Sequence, residues 1–321
     1  MEYRVLKGTN LNLSVVTFGT IWFAAAPKRE YIDTAEGKRA LHLALDEGVN
    51  CIHSSYEYKT RHIVLEVLKE RHATKKVHHI IKVPSPDRNG GQPTWSPAYM
   101  TKLVDDALRE LEADRIDLLQ WIQRDGSEQD PARSVPTFKA IKDEVRATFE
   151  KLRDRGKAGY LGCFVYENEF AQVAARSGLF SALLFYYNLW DTCLLPSFDT
   201  FRECGLGIVP FRPFQGGLLT QKRADIKKLP EGDKMNTPRG RQMLQTRDEL
   251  LRRAGIEAPD LTAYAIKFIL ACDLVGTIVT GMNTCAQVRE ILAAVDGKYP
   301  PPDVARKVYE AAKELGGPWT T

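Results

Sequence analysis

No apolar run in the 321 residues reaches the ~18 that a membrane-crossing helix requires, so an integral membrane protein is not expected. The chain opens Met1-Glu2-Tyr3-Arg4, without the positively charged and then apolar pattern of a secretory signal. Cysteine is sparse. Its six residues (Cys51, Cys163, Cys193, Cys204, Cys272 and Cys285) include no CxxC pair and no cysteine–histidine cluster at zinc spacing. This argues against a disulfide framework and a structural zinc site, and the cysteines read as reduced thiols of a cytoplasmic protein. His53 with Glu57 or Gln123 lacks a second histidine or cysteine at ligand spacing, so no metal is expected. Charge of one sign is also missing: 45 basic and 41 acidic residues are intermixed and leave a formal +4. Without a basic stripe, neither nucleic acid nor a membrane surface is an expected partner, whereas a small-molecule substrate and an anionic cofactor are compatible. No motif specifies an oligomeric state.

What is present is alternation. A hairpin is expected over 3–16 around Gly8-Thr9-Asn10, followed by a strand over 15–20 and a helix over 33–47. Further strands are predicted at 50–53, 77–83, 116–122, 160–165, 183–187, 207–211 and 276–280. Between and after them, helices are predicted at 61–71, 96–112, 138–155, 167–176, 197–204, 247–254, 259–272, 284–295 and 304–315. Strand and helix alternate eight times, the pattern of parallel βαβ units. The expected fold is one α/β domain over 1–321, a (β/α)8 TIM barrel with an N-terminal hairpin and additional C-terminal helices. Residues 222–241, rich in charge with Gly and Pro, read as a long βα loop over the active face.

In a barrel, chemistry collects just past the C-terminal ends of strands. The stretch Asn50-Cys51-Ile52-His53-Ser54-Ser55-Tyr56-Glu57-Tyr58 places His53, Glu57 and Tyr58 there. A lone histidine or tyrosine after a strand is more often a hydrogen-bonded structural residue. Lys82, near the end of the next expected strand, is costly inside a barrel unless it has a role. His78-His79 read as an exposed strand start. Trp22, Trp121, Tyr187 and Trp190 are candidates to line an aromatic substrate pocket, though barrel cores also use such residues.

The order of motifs resembles the aldo-keto reductase superfamily over nearly the whole chain. The resemblance is carried by Phe18-Gly19-Thr20-Ile21-Trp22, Gly48-Val49-Asn50, Ile116-Asp117-Leu118-Leu119-Gln120 and Gly156-Lys157-Ala158-Gly159-Tyr160-Leu161-Gly162. Tyr187-Asn188-Leu189, Ile208-Val209-Pro210-Phe211 and Gly216-Gly217-Leu218-Leu219 continue it. It implies a barrel that reduces carbonyls with NADP or NAD, using an Asp, Tyr, Lys and His tetrad. Tyr58 and Lys82 stand at the Tyr and Lys positions, His53 stands at the Asp position, and Ile122 or Gln123 at the His position. A phenol needs a nearby cation to work near neutral pH, which is what the lysine supplies. With imidazole in place of the carboxylate, Lys82 is expected to lose its proton more easily than in a typical member.

The resemblance also implies cofactor contacts at Gly19, Thr20, Phe164, Phe211, Arg212, Gly216, Gly217, Gly281, Asn283, Thr284 and Gln287. Phe164-Val165 replaces a Ser-Asn pair and Leu184 a Gln that hold the carboxamide in typical members, and Phe211 keeps the aromatic that stacks on nicotinamide. Asn283 replaces the basic residue expected for a 2′-phosphate, and Ile291 an adenine-binding Asn. Three readings follow: a nicotinamide-dependent oxidoreductase with Tyr58 as proton donor or acceptor; a redox-neutral isomerase or lyase using Tyr58, Lys82 or His53; and a non-catalytic ligand-binding barrel.

Overall fold

The computed structural model describes residues 1–85, 96–124, 126, 129–229, 231–317 and 319. The chain starts with β1 (Tyr3–Val5) and β2 (Asn12–Ser14), paired antiparallel with Arg4 opposite Leu13. Next, β3 (Val16–Gly19) leads to α1 (Thr34–Asp46), β4 (Cys51–Ser55) to α2 (Arg61–Glu70), β5 (His78–Ser85) to α3 (Pro97–Leu111), and β6 (Ile116–Gln123) to α4 (Pro131–Asp154). β7 (Ala158–Phe164) and α5 (Asn168–Arg176) follow, then β8 (Ala182–Tyr186) and α6 (Phe198–Glu203). β9 (Gly207–Phe211) is followed by α7 (Pro238–Arg253) and α8 (Leu261–Leu270), and β10 (Ile278–Gly281) by α9 (Cys285–Ala293) and α10 (Val304–Glu314). Strands β3 to β10 pair in parallel and in order, and β10 returns to both β3 and β9, closing an eight-stranded barrel. This is the (β/α)8 architecture that the alternation predicts.

The period of two along each strand sorts side chains into two cores. Cys51, Ile80, Leu118, Leu184 and Val209 point into the barrel. Their neighbours Ile52, Ile81, Leu119, Leu183 and Ile208 point outward and pack with the helices. The hairpin supplies Leu6, Leu11 and Leu13 to the inner cluster, so it plugs the N-terminal end of the barrel. Gly8 makes this approach possible: its φ is +80°, and a Cβ there would lie 2.2 Å from the Ser181 carbonyl oxygen.

Two helices begin earlier than periodicity predicts. α4 starts at Pro131 rather than 138, because Asp130 accepts the Ala132 N–H and Pro131 occupies the first turn, where its missing donor costs nothing. Pro136, inside this helix, hides its first turns from a reading that treats proline as a breaker. α7 starts at Pro238 rather than 247, within the stretch expected to be loop, with Thr237 accepting the Gly240 N–H. All six cysteines are free. Among the described residues, no helix is long and apolar enough to cross a membrane, and no group of three or more His, Cys, Asp or Glu could hold a metal.

Candidate active site

β4 ends in a 3-10 turn, Tyr56–Tyr58, whose start is held by the Ser55 hydroxyl accepting the Glu57 N–H. Thr60 Oγ1 donates to the Thr20 carbonyl and Thr20 Oγ1 to that of His53, so this turn is tied to the loop after β3. Arg29 adds a bond to the Tyr58 carbonyl at 2.5 Å. The turn opens on a cleft of about 730 Å³ at the C-terminal end of the barrel. His53, Tyr58, Lys82 and Arg124 lie along one part of it, and Phe211, Arg212, Gly216 and Gly281 along another. Gly19, Thr20, Trp22 and Gly217 complete the contacts expected from sequence that do line it.

Glu57 is the hinge of the charge arrangement. Its Oε2 accepts from Lys82 Nζ at 2.8 Å and its Oε1 from Arg124 Nη1 at 2.5 Å. Lys82 and Arg124 have side-chain exposures of 11% and 16%, so these bonds are only weakly screened. Burial, the largest single influence on Glu57, raises its pKa, but Lys82 and Arg124 together more than offset it and leave the carboxyl below its ordinary range. The carboxylate missing at His53 is supplied by Glu57, so Lys82 has the acidic partner that the sequence reading takes to be lost.

His53 is 2% exposed, and its Nε2 lies 2.7 Å from Gln120 Oε1. Burial is the main cause that pushes its pKa down to about 3, with Lys82 and Arg61 adding to it against the Gln120 bond. It is thus a neutral imidazole near pH 7 and donates through Nε2 to the Gln120 side-chain oxygen. Its ring lies 5.9 Å from that of Tyr58 and 5.0 Å from that of Phe211. Lys82 Nζ is 5.7 Å from the centre of the Tyr58 ring. Burial raises the Tyr58 phenol above its ordinary pKa, Glu57 raises it further, and Arg124 and Arg29 oppose the change.

Strand register explains several departures from expectation. Gln120 pairs with Lys82, and Lys82 with Ser55, so the parity that turns Lys82 inward does the same for Gln120. By the same parity Trp121 and Gln123 face outward. Trp121 stacks on Phe180 at 5.9 Å and packs against Phe138, and Gln123 Nε2 donates to the Ser134 carbonyl at 3.3 Å. Neither reaches the cleft, and Ile122 is the inward side chain at this level. Tyr187 also packs outside the barrel, 5.3 Å from Phe198 and 5.4 Å from Phe268. Trp190 stacks on Trp319 at 4.4 Å, away from the cleft. Glu57 acts from behind the lining rather than within it. His79 is buried, with neither ring nitrogen hydrogen-bonded, instead of exposed. Phe164 lies inside the barrel and packs edge-on against Phe211 and Tyr186 instead of lining the cleft.

The other part of the cleft is built for oxygens. Arg212 and Gln215 have φ of 56° and 43°, and Gly216 and Gly217 follow at 63° and 93°. The turn is closed by its own backbone, with the Gln215 N–H donating to the Arg212 carbonyl and the Gly217 N–H to that of Phe214, so cationic side chains rather than these amides face an anion here. Asn188, fully buried, donates to the Arg212 carbonyl at 2.9 Å, and Arg223 donates to that of Gly217 at 3.0 Å. Lys234, from the segment expected to cover this face, lines the cleft beside Gly216. The Thr280 hydroxyl, buried at the cleft wall, makes no hydrogen bond. These features fit a pyrophosphate. Asn283 and Thr284 fall in an adjoining cavity, and Gln287 accepts the Asn283 N–H. Gln120, Arg124 and Lys234 were not singled out in the sequence. Strand parity was the available signal for Gln120, whereas Arg124 and Lys234 depend on loops converging from distant parts of the chain.

The aldo/keto reductase family pattern matches residues 15–308. The uncharacterized oxidoreductase YrpG of Bacillus subtilis (strain 168) is 25% identical, over 92% of this chain and 91% of its own length. L-galactose dehydrogenase of Arabidopsis thaliana is 22% identical, over 92% of this chain and 88% of its own. The holo form of aldo-keto reductase AKR11C1 from Bacillus halodurans shares the fold with a TM-score of 0.73 at 23% identity, covering 97% of this chain and 96% of that one. Closed as an eight-stranded barrel and matched over residues 15–308, the chain belongs to the aldo/keto reductase family of oxidoreductases.

Proposed function

We propose that the cleft interconverts a carbonyl compound and its alcohol with a nicotinamide dinucleotide, and that Tyr58 is the proton donor and acceptor. The observation that carries this reading is the Lys82–Glu57 ion pair beside Tyr58, which gives Lys82 a carboxylate partner despite the imidazole at position 53. The residues that would hold the dinucleotide are Arg212, Gly216, Gly217 and Lys234 for its phosphates and Phe211 for its ring. When bound, the dinucleotide supplies or accepts a hydride at the carbonyl carbon.

Burial keeps Tyr58 a phenol, so it can donate its proton to the carbonyl oxygen. Lys82, Arg124 and Arg29 offset the charge of the phenolate this leaves behind. Neutral His53, fixed by Gln120, presents a ring that orients rather than titrates. A redox-neutral reading, with Tyr58 moving protons only, draws support from the apolar Phe164 and Leu184 on the inner barrel wall.

Titration followed by nicotinamide fluorescence tests the choice. Binding of NADH or NADPH, with carbonyl turnover abolished in Tyr58→Phe, is the expected result. Failure of both dinucleotides to bind would overturn it, and product formation without nicotinamide consumption would favour the redox-neutral reading.

A further inference from the structure

The cleft continues past Gly281 into a second cavity of about 240 Å³, and Trp22 lines both. Its walls include Tyr31, Asp33, Glu36, Asn283 and Thr284. If the pyrophosphate of a dinucleotide lies at residues 212–217, this adjoining cavity is where its adenosine half would fit. No lysine or arginine is among the described residues that line this cavity, and several of its polar groups are tied into its walls. Glu36 Oε1 accepts the Cys285 N–H at 2.7 Å across two helices, Gln287 Oε1 accepts the Asn283 N–H at 2.8 Å, and Thr284 Oγ1 accepts the Gln287 N–H at 3.2 Å. Glu36 also pairs with Arg39 at 2.8 Å, and the Cys285 N–H and Arg39 hold its carboxyl below the ordinary range, so it is charged at neutral pH. Asp33 adds a second carboxylate, occupied in capping α1.

A 2′-phosphate would therefore meet two carboxylates and no lysine or arginine among the described residues that line this cavity. A ribose hydroxyl would meet an acceptor. The exposed rings of Trp22 and Tyr31 flank the cavity and offer faces on which an adenine base can stack. From this arrangement, and resting on the function proposed above, we infer that Glu36 makes the protein select NAD(H) over NADP(H) by excluding the 2′-phosphate.

The test is equilibrium binding. NADH and NADPH are titrated by fluorescence, and ADP and adenosine 2′,5′-bisphosphate compete against bound NADH. NADH is expected to bind at least about tenfold more tightly than NADPH, and ADP to compete better than the bisphosphate. In Glu36→Gln, which keeps an oxygen for the Cys285 N–H, the gap between the dinucleotides is expected to narrow to within about threefold. Equal or tighter binding of NADPH by the unaltered protein would overturn this inference alone, as would an unchanged ratio in the variant. If neither dinucleotide binds, the proposed function falls and this inference with it.

Discussion

Glu57 Oε2 accepts from Lys82 Nζ at 2.8 Å, although the family pattern calls for its carboxylate at the position of His53. The carboxylate has moved from the strand to the turn, and it now also serves Arg124. Glu57→Gln keeps the shape and removes the charge. Carbonyl turnover is expected to fall by about two orders of magnitude in kcat/KM. Dinucleotide affinity should change by less than about threefold, since uniform binding is untouched. Steady-state kinetics alongside a binding titration separate the two, and unchanged kcat/KM would refute the assignment.

Acid should destabilise the protein through two buried histidines. Burial, the leading cause in each case, holds His53 down to about 3 and His79 to about 4. An unfolded histidine titrates near ~6.5, so below that pH the unfolded chain takes up protons that the folded chain refuses. Stability is therefore full above pH ~6.5 and is lost as pH falls toward the folded values, by on the order of 2 kcal/mol per histidine at pH 5. Urea midpoints between pH 7 and 5 would show the decline, and His53→Gln or His79→Leu would make it shallower. A flat wild-type midpoint over this range would contradict the account.

Trp121 belongs to stability and not to substrate. Trp121→Ala opens a cavity against Phe138 and Phe180 and is expected to cost about 3–5 kcal/mol. Dinucleotide affinity of the folded variant should stay within about twofold, because the change lies outside the cleft. Denaturant unfolding and a titration on the same sample provide the check.

Asn188 links stability to binding. Its amide holds the Arg212 carbonyl, and its Oδ1 accepts the N–H groups of Trp190 and Asp191 at 2.8 and 2.9 Å. Asn188→Ala leaves these buried groups unsatisfied, at about 1–3 kcal/mol. The turn at 212–217 loosens with it, and dinucleotide binding is expected to weaken by about tenfold. A titration that showed unchanged affinity would separate the turn from the binding site.

The barrel was legible because both of its periods are written in the chain: two along each strand and near four along each helix. The site was less so. Trp121 and Gln123 differ from Gln120 and Ile122 by single positions, and parity alone decides which pair points into the barrel. Glu57 was visible as a mouth residue, but its partnership with Lys82 joins side chains 25 positions apart and had no local signature. Arg124 lies only one residue beyond β6, yet its role arises from the turn after β4. The first turns of α4 were concealed by two prolines, one of them in its natural first-turn place.

The hairpin plug has a consequence for assembly. Leu6 presses into gaps left by Gly207 and Gly276, where a Cβ would lie 2.7 and 2.6 Å from its Cδ1. These glycines stand at the start of the seventh barrel strand and on the approach to the eighth, so the hairpin can be seated only when strands far along the chain have arrived. Such long sequence separation makes closure a slow, late event. During synthesis Leu6, Leu11 and Leu13 therefore await the strands that bury them, and the open end of the unfinished barrel is where a nascent chain is most exposed to aggregation.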